Sequence, residues 1–148
     1  MDRQVREPEG VALHEGGGIE PEALVSLYAA VGWSAYTRDP EGLTRAVRES
    51  TYVLSAWTGE MLIGLARGLS DEVSIFYLQD ILVHPAWQRR GIGRILLTRC
   101  LERYAHVRQK VLLTDDEAGA HAFYQALGFE NVRALGLSAY VQLEPVNK

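Results

Sequence analysis

The apolar positions of this chain follow a helical rhythm up to about residue 50 and then change to a strand rhythm. Val11-Ala12-Leu13-His14 reads as a short strand closed by Gly16-Gly17-Gly18, after a polar residue 1–10 stretch expected to be loose. Pro21 opens a helix to about Val31, with Ala23/Leu24, Leu27/Tyr28 and Val31 in one stripe and Gly32 at its stop. Asp39-Pro40-Glu41 starts a second helix with Leu43, Ala46 and Val47 inward. Thr51 to Trp57 then alternates, Thr58-Gly59-Glu60 turns, and Met61 to Gly68 returns. Ser70-Asp71 turns into a long strand from about Val73 to Val83. Gly91 to about Val107 has helical spacing, with Ile92, Ile95/Leu96, Leu101 and Tyr104 inward, and Lys110 to Thr114 is a short apolar strand. Glu117 to Leu127 is the last helix, stopped by Gly128, and Val132-Arg133-Ala134 with Leu137 to Leu143 reads as a closing hairpin.

Two strands joined through a helix make a parallel pair with a right-handed crossover, and the hairpins make the rest antiparallel. The pattern predicts one α/β domain over residues 1–148, with a mixed, mostly antiparallel sheet of about six or seven strands and about four helices. Apolar content of 47% and charged content of 23% are those of an ordinary globular protein, so the core needs no staples. One cysteine, Cys100, excludes an intramolecular disulfide, and no Cys/His cluster has zinc spacing, so no metal is expected. A net charge of −4 argues against nucleic acid as a partner and permits a cationic substrate. The charged N-terminus and the lack of a membrane-length apolar run lead to the expectation of a cytoplasmic protein without membrane partners.

Chemistry concentrates between Tyr77 and Leu97. The strand ends in Leu82-Val83-His84-Pro85, and Gln88-Arg89-Arg90-Gly91-Ile92-Gly93-Arg94 leads straight into the helix. A helix N-terminus presents unpaired amides and partial positive charge, and so stabilises an anion. Gly91 and Gly93 let a bulky pyrophosphate approach, and guanidinium groups suit phosphate. The block is neither a dinucleotide fingerprint nor a P-loop, since the third glycine and the Gly-Lys-Ser/Thr are missing.

Together with its L-V-H-P approach, this Q-x-x-G-x-G block resembles the acyl-CoA site of the GNAT superfamily of N-acetyltransferases. Ala120-His121-Ala122-Phe123-Tyr124-Gln125-Ala126-Leu127-Gly128-Phe129 resembles the second signature of that family, A-x-x-F-Y-x-x-x-G-F. The likeness covers roughly residues 50 to 135 and implies a GNAT-like fold with a central, splayed parallel pair. It also implies an acyl donor, acetyl-CoA, whose pantetheine arm lies along the backbone of Ile81, Leu82 and Val83. The pyrophosphate then rests on Gln88 to Arg94, that is Gln88, Arg89, Arg90, Gly91, Ile92, Gly93 and Arg94, and Phe123 and Tyr124 complete the donor site.

Acetyl transfer needs placement of the thioester, a donor to the developing oxyanion and a proton for the departing thiolate. The resemblance points to the Leu82 amide as oxyanion donor and to Tyr124 as general acid; a phenol of pKa about 10 can protonate a thiolate whose acid lies near 8.5. Trp33 and Tyr36, in the loop after the first helix, together with Tyr77 and Gln79, are expected to wall the acceptor site. Many relatives carry Glu or His where this chain has Tyr77 or Gln79. Gln79 cannot take a proton, so either a water held by Gln79, Tyr77 and Asp80 carries it or the amine needs little help. Alternation puts Tyr77, Gln79 and Ile81 on one face and Leu78 and Asp80 on the other, up to any bulge.

An α-amine of pKa about 7.7–8 is already partly neutral, whereas a lysine-like amine near 10.4 is not. This favours a small α-amine, an amino acid or a peptide N-terminus, over a polyamine or aminoglycoside. The alternative of a non-catalytic acyl-CoA-binding or regulatory module stays open, as does a homodimer, which is common among relatives. Asp115-Asp116-Glu117 reads as acidic helix capping, with an acidic rim for a cation as the alternative. His84, His106 and His121 read as incidental, none with a partner at catalytic or metal spacing.

Overall fold

A computed structural model describes residues 7–144; residues 1–6 of the stretch expected to be loose lie outside the described residues. The chain divides into two compact units, Met1–Leu112 and Leu113–Lys148. In the first unit the order is β1 (Ala12–Glu15), α1 (Pro21–Ala30), α2 (Ser34–Thr37), α3 (Pro40–Arg48), β2 (Tyr52–Thr58), β3 (Met61–Ser70), β4 (Ile75–Val83), α4 (Ile92–Arg103) and β5 (Gln109–Leu112). The second unit holds α5 (Ala118–Ala126) and a single 3-10 turn, Val132–Leu135.

One sheet in the order β1-β2-β3-β4-β5 is antiparallel except for the parallel β4–β5 pair. This is the mixed sheet the sequence predicts, with fewer strands: five among the described residues against six or seven expected, and five α-helices against four. The extra helix, α2, is a single turn, too short to show a period. The closing hairpin is not formed. Val132–Leu135 is a 3-10 turn whose Asn131 side chain accepts from the Arg133 amide at 3.0 Å, and residues 137–144 have no regular structure. Among the described residues the parallel pair therefore ends the sheet instead of lying at its centre.

Local chemistry explains the boundaries. Pro21 and Pro40 occupy the first turns of α1 and α3, and Asp39 caps α3 by accepting from the Gly42 amide at 3.0 Å. Asp71 accepts from the amides of Val73, Ser74 and Ile75, which holds a turn where the strand was expected to begin and delays β4 to Ile75. Leu24, Leu27 and Tyr28 of α1 and Leu43 and Val47 of α3 cover one sheet face with Val53, Leu62, Leu65 and Leu82. On the opposite face α4 buries Ile92, Ile95, Leu96, Leu97 and Cys100. Helix α4 stops at Arg103, short of the expected Val107, because Tyr104 leaves the helix and stacks on Phe76 with ring centroids 4.3 Å apart. Full burial of the four aliphatic side chains among these contributes roughly 1.5–3 kcal/mol each, so packing on the sheet supplies most of what holds α4.

Candidate active site

Parallel pairing of β4 with β5 runs from Ile75 opposite Gln109 to Leu78 opposite Leu112 and ends there, while β4 continues to Val83. On the other side of β4, Arg67 lies opposite Asp80 but Gly68 lies opposite Leu78, which leaves Gln79 as the extra residue of a β-bulge. The bulge bends β4 at the residue where β5 stops, so among the described residues β4 from Gln79 onward has no strand paired on its β5 edge. It also resets the alternation read from the sequence. Residues facing each other in an antiparallel ladder share a side, so Tyr77, opposite Leu69, joins Asp80 and Leu82. Leu78 joins Ile81 and Val83 on the side that α4 covers.

The ladder also fixes which amides face the open edge. The His84 N–H donates to the Ile63 carbonyl at 2.8 Å, and in the same register Leu82 and Leu65 form a hydrogen-bonded pair. The Leu82 N–H therefore turns toward β3, away from the slot. This corrects the expectation for Leu82: the backbone groups at the open edge are those of Ile81 and Val83. The Val83 carbonyl accepts from Gln88 Nε2 at 3.1 Å, tying the strand end to the loop that follows.

That loop, residues 84–91, is shaped for an anion. His84 Nδ1 accepts from the Ala86 amide at 3.0 Å and starts a 3-10 turn over Pro85–Trp87. Arg89 and Gly91 both have positive φ, 64° and 83°, and Gly91 is the N-cap of α4. A left-handed N-cap with no side chain leaves open space above it. The first bond of the helix runs from the Ile95 amide to the Gly91 carbonyl at 3.0 Å, so the amides of Ile92, Gly93 and Arg94 precede the ladder. Among the described residues Arg89, Arg90 and Arg94 have no carboxylate within 4.0 Å, and all are exposed. The Arg90 guanidinium sits 4.7 Å from the Trp87 ring centroid, which orders the rim of the loop.

On the α1 side of β4 the structure assembles a buried polar cluster. Asp80 Oδ2 accepts from the Tyr28 hydroxyl at 2.8 Å and from Arg67 Nε at 2.6 Å, and Oδ1 accepts from the Tyr36 hydroxyl at 2.9 Å. The side chains of Arg67 and Asp80 are 7% and 4% exposed, so this is an ion pair in the interior. Gln79 Nε2 donates to the Tyr36 oxygen at 3.4 Å, and Arg67 Nη1 donates to the Ser50 hydroxyl at 3.3 Å. Tyr28, Trp33 and Tyr36 pack as an aromatic group, with Tyr28–Tyr36 centroids 5.0 Å and Tyr28–Trp33 centroids 5.8 Å apart. Burial first, and then the Asp80 charge, push the phenols of Tyr28 and Tyr36 above their ordinary pKa. Four expected residues, Trp33, Tyr36, Gln79 and Asp80, are thus brought together. Tyr28 and Arg67 are the residues that sequence reasoning missed. The signal was a lone arginine inside the ten-residue apolar strand β3.

In the second unit α5 carries Phe123 and Tyr124, ring centroids 5.0 Å apart. Gly128, at φ 92°, lets the chain turn back, and the Phe129 amide reaches the Tyr124 carbonyl at 3.0 Å. The Phe129 ring then meets the Tyr124 ring edge-on at 6.0 Å, which is the structural purpose of the G-F pair. Burial raises the Tyr124 phenol above its usual pKa, with a hydrogen bond from Thr114 acting against it. His121 has a partner after all, Asp116 Oδ1 at 2.6 Å, but that carboxylate is fully exposed. Among the described residues no group of three or more His, Cys, Asp or Glu could hold a metal, and no helix is long and apolar enough to cross a membrane.

A β-bulge at the end of a parallel pair, followed by a glycine loop at a helix N-terminus, makes a strand edge that runs into a loop shaped for an anion. The profile of the Acetyltransferase (GNAT) family matches residues 22–129, and the chain belongs to that family. It is 26% identical to the histone acetyltransferase TAP1 of Glycine max over 84% of this chain and 59% of that protein. It is 30% identical to an uncharacterized ycf52-like N-acetyltransferase of Prochlorococcus marinus over 72% of this chain and 60% of that protein. The chain therefore spans about 60% of the length of these curated relatives. A GNAT family protein of Streptococcus pneumoniae TIGR4 superposes with a TM-score of 0.79 at 26% identity, covering 92% of this chain and 99% of that one. An aminoglycoside acetyltransferase from a soil metagenomic sample, solved with sisomicin, shares the fold at a TM-score of 0.67 and 21% identity, covering 91% and 97%.

Proposed function

We propose that this protein is an acetyl-CoA-dependent N-acetyltransferase acting on a small primary α-amine, an amino acid or a peptide N-terminus, by direct attack. The observation that carries the reading is the open edge of β4 running into the Gln88–Arg94 loop. Backbone groups of Ile81 and Val83 can take a pantetheine amide as an added strand would be taken. Arginines without carboxylate partners and the α4 amides fit a pyrophosphate. Bound acetyl-CoA supplies the activated acetyl thioester.

The residues of this chain do the rest. The Ile81 amide, turned to the open edge, is the donor to charge that develops on a carbonyl oxygen there. Tyr124, in the position of the family's tyrosine, is a phenol and so already protonated at neutral pH, and can release its proton to a thiolate. Asp80 is not available as a base, because both of its oxygens are engaged by Tyr28, Tyr36 and Arg67. Its part is to hold Tyr36, and through Tyr36 the α2 turn with Trp33, against the Gln79 bulge. Without a carboxylate base the acceptor must arrive largely neutral, which suits an α-amine of pKa about 7.7–8 better than one near 10.4.

The test is release of CoA from acetyl-CoA with amino acids, short peptides, polyamines and aminoglycosides, each over a range of pH. Turnover that levels off near the acceptor's own α-amine pKa supports the reading. Preference for polyamines or aminoglycosides would replace the acceptor, and tight acetyl-CoA binding without turnover would make this a binding module.

A further inference from the structure

Helix α2 and strands β3 and β4 share a chain of hydrogen bonds whose polarity can be followed from its buried end to its exposed one. Asp80, paired with Arg67 at 2.6 Å, is a carboxylate and only accepts. The Tyr36 hydroxyl therefore spends its one proton on Asp80 Oδ1, 2.9 Å away, since a charged acceptor outcompetes a neutral one. With that proton committed the Tyr36 oxygen can only accept, and Arg67 Nη2 reaches it at 3.4 Å. Gln79 must then offer Tyr36 its Nε2, as it does at 3.4 Å, and not its carbonyl oxygen.

A side-chain amide held in this way has a fixed direction. Its two ends sit on one carbon and point apart, so Gln79 Oε1 turns away from the cluster, and the residue itself is exposed. As the extra residue of the bulge, Gln79 stands two positions before Ile81, whose amide faces the edge that would take the acyl donor. The groups behind it balance. Tyr28 from α1 and Tyr36 from α2 are protonated phenols at neutral pH, and the charges of Arg67 from β3 and Asp80 from β4 cancel. We infer that Gln79 Oε1 accepts an N–H of the acceptor amine, and that Tyr36 is the positioning residue that turns this oxygen, and not Nε2, toward the amine. The inference rests on the acetyltransferase reading of the same site.

Polarity matters because a neutral primary amine has two N–H groups and one lone pair, and attack uses the lone pair. An oxygen beside the nitrogen takes an N–H and leaves the lone pair free to aim at the thioester carbon. An NH2 group in the same place would bind the lone pair and block the reaction. As the C–N bond forms, positive charge grows on nitrogen and the N–H···O bond strengthens with it, so the contact favours the transition state over the ground state. The nitrogen then loses its proton to water, and the C–S bond breaks to give the thiolate, which takes the Tyr124 proton. A neutral amide also withholds the ion pair that a carboxylate would offer an ammonium, which separates α-amines from more basic ones.

The experiment is CoA release by the full chain from acetyl-CoA, with the amino acids and glycylglycine as acceptors, for wild type, Gln79→Met, Tyr36→Phe and the double variant. Circular dichroism must show that the variants keep the wild-type secondary structure; if Tyr36→Phe unfolds, Gln79→Met at its exposed position carries the comparison. Gln79→Met should lower kcat/KM for the best acceptor roughly 10–100-fold, as for a hydrogen bond to a group that becomes charged, with acetyl-CoA affinity unchanged. Tyr36→Phe should lower it about 3–10-fold in the wild type but less than about 2-fold in the Gln79→Met background, because its effect runs through Gln79. Equal penalties in both backgrounds would overturn the positioning role and leave Tyr36 a structural residue. Turnover unchanged in Gln79→Met would overturn the inference and leave the acetyltransferase reading standing, whereas a wild type that turns over none of these amines removes both.

Discussion

Replacing Asp80 by Asn keeps the shape of the buried cluster and removes the only charge that balances Arg67 within it. The geometry sets the magnitude. Arg67 Nε lies 2.6 Å from Asp80 Oδ2, and the two side chains are 7% and 4% exposed, so water cannot take over as the partner. Removing one member of such a pair costs about 3–5 kcal/mol, because the remaining charge stays buried. Asparagine can still accept through Oδ1, so we expect the low end, about 3 kcal/mol. Urea unfolding followed by tryptophan fluorescence should show the midpoint falling by roughly 1–2 M with an unchanged slope. The companion variant is Asp80→Asn with Arg67→Met, which removes both charges. It should be more stable than Asp80→Asn alone, and the cycle should return a coupling of about 2 kcal/mol or more. A cost below about 1 kcal/mol for Asp80→Asn, or a double variant no better than additive, would refute a buried, mutually dependent pair. Loss of turnover with stability and amine KM intact would show instead that the carboxylate takes part in the chemistry.

Further outcomes follow from the other site residues and from the core. Tyr124→Phe should lower kcat by roughly 10²–10⁴-fold while acetyl-CoA affinity changes little, and an unchanged kcat removes the acid assignment. Gly91→Val should abolish acetyl-CoA binding in calorimetry, because φ of 83° strains any L side chain and the side chain would fill the space above the α4 amides. Stability should fall at alkaline pH. Burial pushes the Cys100 thiol up to about 12, against about 8.5 in an unfolded chain. A folded pKa above the unfolded one means that the contribution is complete below about pH 8.5 and is lost as pH rises toward 12. Cys100→Ala should flatten the urea-midpoint profile across that window, and an unaltered profile would assign the loss to other groups.

Much of the fold was legible because each element carried its own signal. Apolar spacing marked α1, α3 and α4, and the turn at Thr58-Gly59-Glu60 marked the hairpin of β2 and β3. The Gln88–Arg94 loop was legible because glycine and arginine there have direct phosphate chemistry. The bulge at Gln79 was not, since it is a relation between β4 and the register of β3, visible only once Arg67 and Gly68 are paired. From the bulge follow the changed facing of Tyr77 and the inward turn of the Leu82 amide, neither of which alternation alone can give. Arg67 carries no motif, and its meaning comes from Asp80, thirteen residues away on the neighbouring strand. The segment over residues 137–143 failed for a different reason: a strand pattern states what a segment can do, but pairing needs an edge to meet it.

The bulge at Gln79 also makes β4 a strand with two parities. Before it, odd-numbered Tyr77 points where even-numbered Asp80 and Leu82 point after it. A chain shortened by that one residue would set Leu78 and Asp80 side by side opposite Gly68 and Arg67, keep every other β4 side chain on its present side of the sheet, and lose only the bend that the extra residue puts into the strand.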